Sequence, residues 1–486
     1  MHDGPIVLVT LGSMRADAAG FLAGGRLTPH LDALAERSDW AGRAVAPSSW
    51  VVPSLGTLLT GLSPWQHGAV TAADSRLAPE LVTLAEALAA EGYASAGYVG
   101  GLWMRGDRSW HQGFRELRDL GLGRRAEGHL ASLGDVASPQ RQFLWVHVRQ
   151  PSPPYERHDE LRDQMPPLGD DFLGSLPLRL DVDDLERWAD PAAPVPYGER
   201  RRLTNLYRYG VAEADRQLGD LLAALEASGR WDDTLLVVTA LHGEELGDYR
   251  STGSGGSLGR ALVEVPLVVK LPRSLWGERS GSGVAERRIA EPLTHHVALA
   301  RVPATLAAAA GASLPPAAAP SLFEQQPEGI LSELYAKNGY NELSWLEPDD
   351  GGEGAWQLVQ RSRFAPPEAD YHRARLADYG VAVPGLAEPP EELLARLATA
   401  FADTPPLTGA AASPPEWTLS RWAGGRSEAV DDPARAAAMA ERMARRWLAF
   451  AACERTPSAE AAHREAERAA AGLGAPVPGT GPAPSR

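Results

Sequence analysis

The residues that could do chemistry cluster first in the stretch APSSWVVPSLGTLLTGL, which runs from Ala46 to Leu62. It has the pattern of a nucleophile-bearing turn, in which Pro53 and Ser54 lead into a helical run. Val51 stands two residues before the proline, and its side chain has neither a lone pair nor an ionisable proton. The hydroxyls of Ser49 and Ser54 are the nearby substitutes, although Ser54 also fits a turn or a helix cap. The stretch therefore predicts a nucleophile turn without a nucleophile at the expected position.

Two histidines are candidates for a catalytic base. His147 lies within the apolar run FLWVHV, and His242 follows the apolar run TLLVVTA. A metal-free transferase or isomerase could use either imidazole, because its ordinary pKa lies near neutrality. We favour the alternative that both are hydrogen-bonded structural histidines. The pair Glu244 and Glu245 is predicted to occupy the first turn of a helix, where the helix dipole favours carboxylates.

Four short apolar runs predict the strands that would position these residues: Ile6 to Leu11, Phe143 to Val148, Thr234 to Ala240 and Val265 to Leu271. The runs are apolar on both faces, which is typical of strands buried within a largely parallel sheet.

Helical patterns lie between these runs, one from Pro79 to Gly92 and another from Leu203 to Gly229. Alternating strands and helices predict an α/β fold class, with a mostly parallel sheet sandwiched by helices. Ligands of such sheets lie beyond the carboxyl ends of the strands. The residues just after each apolar run are therefore the candidate site.

The first domain is predicted to span residues 1–320. It includes a Pro-, Asp- and Leu-rich segment from Pro151 to Arg200, which is expected to be a lid or a loosely ordered insertion.

A smaller C-terminal α+β subdomain is predicted over residues 321–455. Its elements are a strand-like segment from Ala355 to Phe364 and helices from Pro390 to Asp403 and from Pro433 to about Ala452, the last with Asp432 as its N-cap. Residues 456–486 are rich in Ala, Glu and Arg and then in Pro and Gly, so we expect a disordered tail.

Composition excludes several classes of partner. The 486 residues carry a net charge of -16, which argues against a nucleic-acid partner or an anionic membrane surface. The one cysteine, Cys453, cannot form an internal disulfide. The sequence contains no run of about 18 apolar residues, so we expect no membrane span. The first strand begins almost at once, without a basic leader, so we expect a cytoplasmic protein.

The segments around these strand ends, taken in chain order, resemble the sulfatases of the alkaline-phosphatase superfamily. The segments are VTLGSMRAD, LTPHLDALAERS, SSWVVPSLGTLLTGLSPWQHG, TLAEALAAEGYASAGYVG, HQGFRELRDL, FLWVHVRQPSPPY, YRYGVAEADRQLGDLLAAL, DDTLLVVTALHGEELGD, SLGRALVEVPLVVKLP and VPATLAAAAG. The resemblance runs from about Ile6 to Leu314. It implies a sulfatase-like fold, hydrolysis of sulfuric or phosphoric esters, and Ca²⁺ or Mg²⁺ as cofactor.

The resemblance also implies which residues stand at the family's catalytic positions. Anchored on Pro53, it puts Val51 at the nucleophile and Leu55 at the family's Arg or His. In the middle segment the family carries an Asp and a second His, and Gln150 and Ser152 stand there instead.

The metal-ligand positions depart from the family in the same way. Gly12 and Ser13 stand where one or two Asp would follow the first strand, and Leu241 replaces an Asp beside the surviving His242. A hard divalent cation needs several oxygen ligands, typically two or more carboxylates, so we expect no metal and no cofactor. The remnant cleft comprises Gly12, Ser13, Ser49, Val51, Ser54, Leu55, His147, Gln150, Leu241 and His242.

Three hypotheses follow from the sequence. The first is a sulfatase-like pseudoenzyme that binds a protein partner or a small anionic ligand. The second is a sulfuric or phosphoric ester hydrolase of the same family whose active site has been rebuilt from other residues. The third is the metal-free transferase or isomerase that uses His147 or His242 as its base.

Overall fold

The computed structural model describes residues 1–70, 77–101, 104, 109–119, 124–135, 137–165, 177, 179–181, 185, 195–248, 252–275, 296–315, 318–324, 329–337, 340–349, 354–363, 416–423 and 426–452. The strands are β1 (Ile6–Leu11), β2 (Trp40–Val45), β3 (Ala94–Val99), β4 (Glu116–Asp119), β5 (Gln142–Val148), β6 (Tyr155–Glu156), β7 (Arg179–Leu180), β8 (Leu235–Thr239), β9 (Glu245–Leu246), β10 (Thr252–Gly253), β11 (Glu264–Lys270), β12 (Val297–Ala298), β13 (Ile330–Lys337), β14 (Tyr340–Pro348), β15 (Ala355–Arg363), β16 (Glu416–Ala423) and β17 (Arg426–Ala429). The α-helices are α1 (Gly20–Ala23), α2 (Pro29–Glu36), α3 (Val51–Thr60), α4 (Pro64–His67), α5 (Leu84–Ala90), α6 (Arg124–Ser132), α7 (Tyr197–Ala227), α8 (Arg260–Val263), α9 (Arg301–Ala310) and α10 (Pro433–Ala452).

An eight-stranded sheet forms the centre of the fold, in the order β12-β2-β11-β8-β1-β5-β3-β4. The strand β1 lies between β5 and β8 and is parallel to both. All four apolar runs are strands of this sheet, which confirms the predicted α/β architecture. The strand β11 differs from the rest because it is antiparallel to β8 and β2. The described residues between β8 and β11 form only short elements, β9, β10 and α8, and no crossover helix. The chain therefore enters β11 from the edge where β8 ends, which makes the two strands antiparallel.

Helices flank the sheet and explain why its strands are apolar on both faces. Every residue of β1, β5, β8 and β11 is buried. The long helix α7 contacts α2 and α6, whereas α9 contacts α3 and α5. The helix α7 has an apolar stripe, Ala214, Leu218, Leu221 and Leu225, and all four residues are buried. No helix in the described part of the chain has both the length and the apolarity needed to cross a bilayer.

Two helix starts differ from the sequence prediction. Helix α5 begins at Leu84 and not near Pro79, because Thr83 and Glu86 form a reciprocal capping box. It ends before Gly92, whose φ of 84° suits glycine. Helix α7 begins at Tyr197, six residues before the predicted Leu203, directly after Pro196.

The described part of the segment from Pro151 to Arg200 lies against α7. The two-stranded ribbon of β6 and β7 contacts this helix, as does the 3-10 turn Asp159–Gln164. Whether the whole segment is a lid or an insertion stays a prediction.

A separate antiparallel sheet, β13-β14-β15-β16-β17, forms the C-terminal region together with α10. This confirms the predicted smaller α+β subdomain. The Arg435 amide donates a hydrogen bond of 3.0 Å to Asp432 Oδ1, as expected of an N-cap. Met439 and Met443 of α10 are buried. The predicted helix from Pro390 to Asp403 and the tail 456–486 lie outside the described residues, and the domain boundaries stay predictions.

The second sheet is hydrogen-bonded to the chain that enters α3. The Ser332 hydroxyl of β13 donates to the carbonyl of Ala46 over 2.7 Å, and the Glu333 amide donates to the carbonyl of Pro47 over 2.8 Å. Strand β13 therefore holds the segment that leads to Val51 through one side-chain and one backbone hydrogen bond.

Candidate functional site

The ends of β1, β5 and β8 bring most of the candidate residues to one edge of the central sheet. Gly12 follows β1, Gln150 lies two residues after β5, and Leu241 and His242 follow β8. Because β1 lies between the other two and is parallel to both, their carboxyl ends share that edge. Val51 is the first residue of α3 and is half-buried against the main hydrophobic core.

Gly12 sits in a backbone environment with no room for a side chain. Its amide donates a hydrogen bond of 2.7 Å to the carbonyl of Val148. A Cβ at this position would lie 2.1 Å from the carbonyl oxygen of Arg149 and 2.6 Å from the hydroxyl of Ser152. Contacts this short with a backbone atom require the chain at residues 149–152 to move. The position where the resemblance expects a metal-binding Asp is thus closed by the turn after β5.

Two further positions of the expected reaction centre are apolar and fully buried. Leu55, on the first turns of α3, and Leu241, after β8, are both 0% exposed and belong to the main core. Neither side chain can bind an oxyanion or a cation. Trp50, which precedes α3, also packs into this core.

The serine hydroxyls near α3 fall into two groups. Ser54 donates to the carbonyl of Ser48 over 3.0 Å, so it ties the turn that precedes the helix. Ser48 and Ser49 are fully buried, and neither hydroxyl has a hydrogen-bond partner within the described part of the chain. The Gln150 side-chain carbonyl, also buried, shares this condition.

Both candidate histidines are buried and hydrogen-bonded. His147 Nδ1 lies 2.8 Å from the Thr10 hydroxyl, which in turn accepts a hydrogen bond from the Trp145 indole. Burial lowers the pKa of His147 to about 3, and the charges of His242 and Arg149 act in the same direction. His147 is therefore neutral at physiological pH. His242 Nδ1 donates to the neighbouring carbonyl of Gly243 over 2.7 Å.

Glu244 and Glu245 are not in a helix, so the prediction for this pair was wrong. Glu245 begins the short strand β9, which pairs with β10, and Glu244 lies in the irregular chain just before it. Pairing with β10 extends the backbone and competes with the helical turn. Both carboxylates are only 1% exposed. Glu244 Oε2 accepts a hydrogen bond of 2.6 Å from the Ser13 hydroxyl, which places a carboxylate next to Gly12.

Comparison with known proteins identifies the scaffold. A profile of the family described as Sulfatase matches residues 5–312. The chain belongs to the sulfatase family. The multifunctional alkaline phosphatase superfamily protein PehA of Trinickia caryophylli is 28% identical over 163 residues, which cover 32% of this chain and 29% of that protein's length.

Solved structures of similar fold include sulfatases and phosphonate monoester hydrolases. A 2-O GAG sulfatase aligns with a TM-score of 0.54 and 16% identity over 77% of this chain and 91% of its own. The phosphonate monoester hydrolase of Silicibacter pomeroyi aligns with a TM-score of 0.53 and 19% identity over 78% of this chain and 94% of its own. At these identities the likeness shows the fold alone.

In this sulfatase-family chain a polar network adjoins the ends of β1 and β8. The Arg15 guanidinium donates to both carboxylate oxygens of Asp17, to Asp248 and to the carbonyl of Glu244. The Tyr207 hydroxyl of α7 accepts from the Arg15 amide and donates to the carbonyl of Ser13, both over 2.9 Å. The network fixes the chain that follows Gly12. A signal of this region in the sequence is that Ser13 and Glu244 closely follow two apolar runs predicted to lie in the same sheet.

Proposed function

We propose that this chain is a non-catalytic member of the sulfatase family that acts by binding a small anionic ligand or a protein partner. The observation that carries the proposal is the closure around Gly12. Restoring a carboxylate there would require displacement of the carbonyl of Arg149, a backbone atom. A chance substitution on an otherwise open site would leave room for the missing side chain.

The other positions of the expected reaction centre support the same proposal. Val51 offers no nucleophile, and buried Leu55 and Leu241 offer neither an oxyanion donor nor a metal ligand. In such hydrolases an activated nucleophile and electrostatic clamping of the transferred group account for most of the catalysis, and loss of one donor costs about 3 to 4 kcal/mol. Absence of all these groups predicts no measurable turnover.

The divalent cation that the family uses does not fit the residues at this edge of the sheet. Glu244, beside Gly12, already accepts a hydrogen bond from Ser13. Within the described ranges, the acidic and imidazole groups close enough to share one ion are His158, Glu160 and Glu213. None of these three belongs to the remnant cleft. Hard cations need several oxygen ligands, typically with two or more carboxylates. We therefore assign no step to a metal.

The second candidate function is a hydrolase of this family with a rebuilt active site. The hydrogen bond between Ser13 and Glu244 favours it, because it joins a hydroxyl to a carboxylate acceptor next to Gly12. Ser49, with its buried hydroxyl, and His242 are further candidates in such a site.

A panel of aryl sulfates and phosphate mono- and diesters tests the two candidates, each assayed with and without added Ca²⁺, Mg²⁺, Mn²⁺ and Zn²⁺. We expect no turnover above background, and no stoichiometric metal in the purified protein. Turnover that Ser13→Ala, Ser49→Ala or His242→Ala abolishes would overturn the non-catalytic proposal. Turnover that none of these changes affects would identify a contaminating enzyme. The cytoplasmic location expected from the sequence stays a prediction.

A further inference from the structure

A cavity of about 650 Å³ opens beside the Arg15 network, between α1, α7 and the 3-10 turn Asp159–Gln164. None of Gly12, Val51 and Leu241 is among its lining residues, so it is separate from the remnant cleft. Its volume is in the range of small-molecule sites, about 300 to 1,000 Å³.

The cavity is basic, on a chain whose net charge is -16. Four arginines line it, against three aspartates: Arg15, Arg26, Arg200 and Arg208 against Asp17, Asp163 and Asp248. Ion pairs already neutralise part of this charge, because Arg15 binds Asp17 and Asp248 and Arg200 also binds Asp248. Within the described part of the chain, Arg26 and Arg208 make no ion pair. Asp163 makes no ion pair in the described residues either, so Arg26 and Arg208 together exceed it by one positive charge.

Arg208 is the less solvated of the two. It is half-buried on α7, and its hydrogen bond is a long one, 3.4 Å from Nη1 to Asn205 Oδ1. Burial lowers the pKa of Arg208, and the charge of Asp17 only partly offsets this. The side chain nevertheless stays charged, since an Arg pKa remains far above neutrality. A desolvated guanidinium with free N–H groups gains strongly from an oxyanion, which it can bind through two parallel hydrogen bonds.

Apolar side chains supply the rest of the cavity wall. Leu27 and Met165 belong to one small hydrophobic cluster with Leu161 of the 3-10 turn. Leu246 of β9, buried to 5% exposure, lines the cavity as well. A ligand that fits must therefore combine an anionic group with an apolar body.

We propose that this cavity binds a small organic anion, with its sulfate, phosphate or carboxylate group on Arg208 and Arg26 and its apolar body against Leu27, Met165 and Leu246. This inference rests on the proposed binding function and names its site. The floor formed by Arg15 and Tyr207 separates the ligand from Ser13 by one layer of hydrogen bonds. Binding in the cavity thus needs no chemistry at the remnant cleft.

Isothermal titration calorimetry with three aromatic probes tests the proposal: 4-nitrophenyl sulfate, 4-nitrobenzoate and the neutral 4-nitrobenzyl alcohol. We expect at least one anionic probe to bind at concentrations up to about 10 mM and the alcohol to bind more weakly. Arg208→Gln should weaken binding of the anionic probe by about tenfold or more, because it removes a charged hydrogen-bond donor. Arg26→Gln, at an exposed position, should weaken anion binding less, because water already solvates that guanidinium.

Arg37→Gln is the matched control, since it removes the same charge outside the cavity. Arg37 pairs with Glu226 near the far end of α7, about 27 Å along the helix from Arg208. Equal weakening by Arg37→Gln, or no binding of either anion to the wild type, would overturn the cavity proposal. A ranking of sulfate above carboxylate, or the reverse, identifies the anionic group that the cavity prefers. If the probes do not bind and the ester panel shows no turnover, the cavity proposal is wrong and the non-catalytic proposal stands. Turnover in the ester panel would overturn the non-catalytic proposal, whatever the binding result.

Discussion

A side chain introduced at Gly12 is expected to destabilise the protein sharply. In Gly12→Ala the new methyl group would lie 2.1 Å from a carbonyl oxygen, so the turn at residues 149–152 must shift. Overpacking of this kind costs about 1 to 3 kcal/mol. Gly12→Asp adds a carboxylate that faces the carbonyl of Arg149 and is buried without a cation, which costs several kcal/mol more. The sum approaches the whole stability of an ordinary domain, about 5 to 15 kcal/mol.

Urea denaturation followed by tryptophan fluorescence measures both changes. Gly128→Ala on α6 is the matched control, because a Cβ there meets no atom within 4 Å. In a helix this exchange should stabilise by about 0.5 to 1 kcal/mol, the opposite sign to Gly12→Ala. An unchanged free energy of unfolding for Gly12→Ala would refute the closure argument. So would a Gly12→Asp variant whose free energy of unfolding rises with the logarithm of the Ca²⁺ concentration, since that requires a competent metal site.

Two pH-dependent predictions follow from buried ionisable groups. Burial in the folded protein lowers the pKa of His147 to about 3, so its contribution to stability is full above pH 6.5 and is lost as the pH falls. Between about pH 6 and pH 4 this loss should lower the free energy of unfolding by about 1.4 kcal/mol per pH unit. Denaturation curves of His147→Asn should lack that dependence on pH. Burial alone would raise the pKa of Glu264, but His296 and Arg260 outweigh it and lower the pKa to about 2. Glu264→Gln should therefore cost about 3 kcal/mol near neutral pH, and the cost should shrink below about pH 4, as thermal unfolding across pH would reveal.

The central sheet could be predicted because its strands are buried on both faces. A run such as Phe143 to Val148 is apolar throughout, and only a strand between two layers of helices needs that pattern. The direction of β11 could not be predicted, since it depends on the route of the chain between residues 240 and 263 and not on the strand's own composition. Helix starts were predicted less well than helices, because the Thr83–Glu86 capping box outweighed Pro79 as a start signal.

The candidate site was predictable only at positions fixed by strand ends. Gly12, Leu241 and His242 follow strands, so their shared edge follows from the topology. The role of Glu244 was missed because its partner, Ser13, is 231 positions away in the chain. The cavity could not be predicted from the sequence, since its arginines come from α7 and from the chain near α1. In the sequence these arginines have the pattern of solvent-exposed surface residues.

The hydrogen bonds from β13 to the chain before α3 bear on how the molecule unfolds. Ala46 and Pro47 are buried residues that precede α3, yet the donors to their carbonyls come from Ser332 and Glu333 of the second sheet. A truncation near residue 320 would remove both donors together with the strand that covers these carbonyls, and the loss of each hydrogen bond costs about 0.5 to 1.5 kcal/mol. The boundary between the two sheets is thus an architectural division, and the halves should melt in a single cooperative transition rather than one after the other.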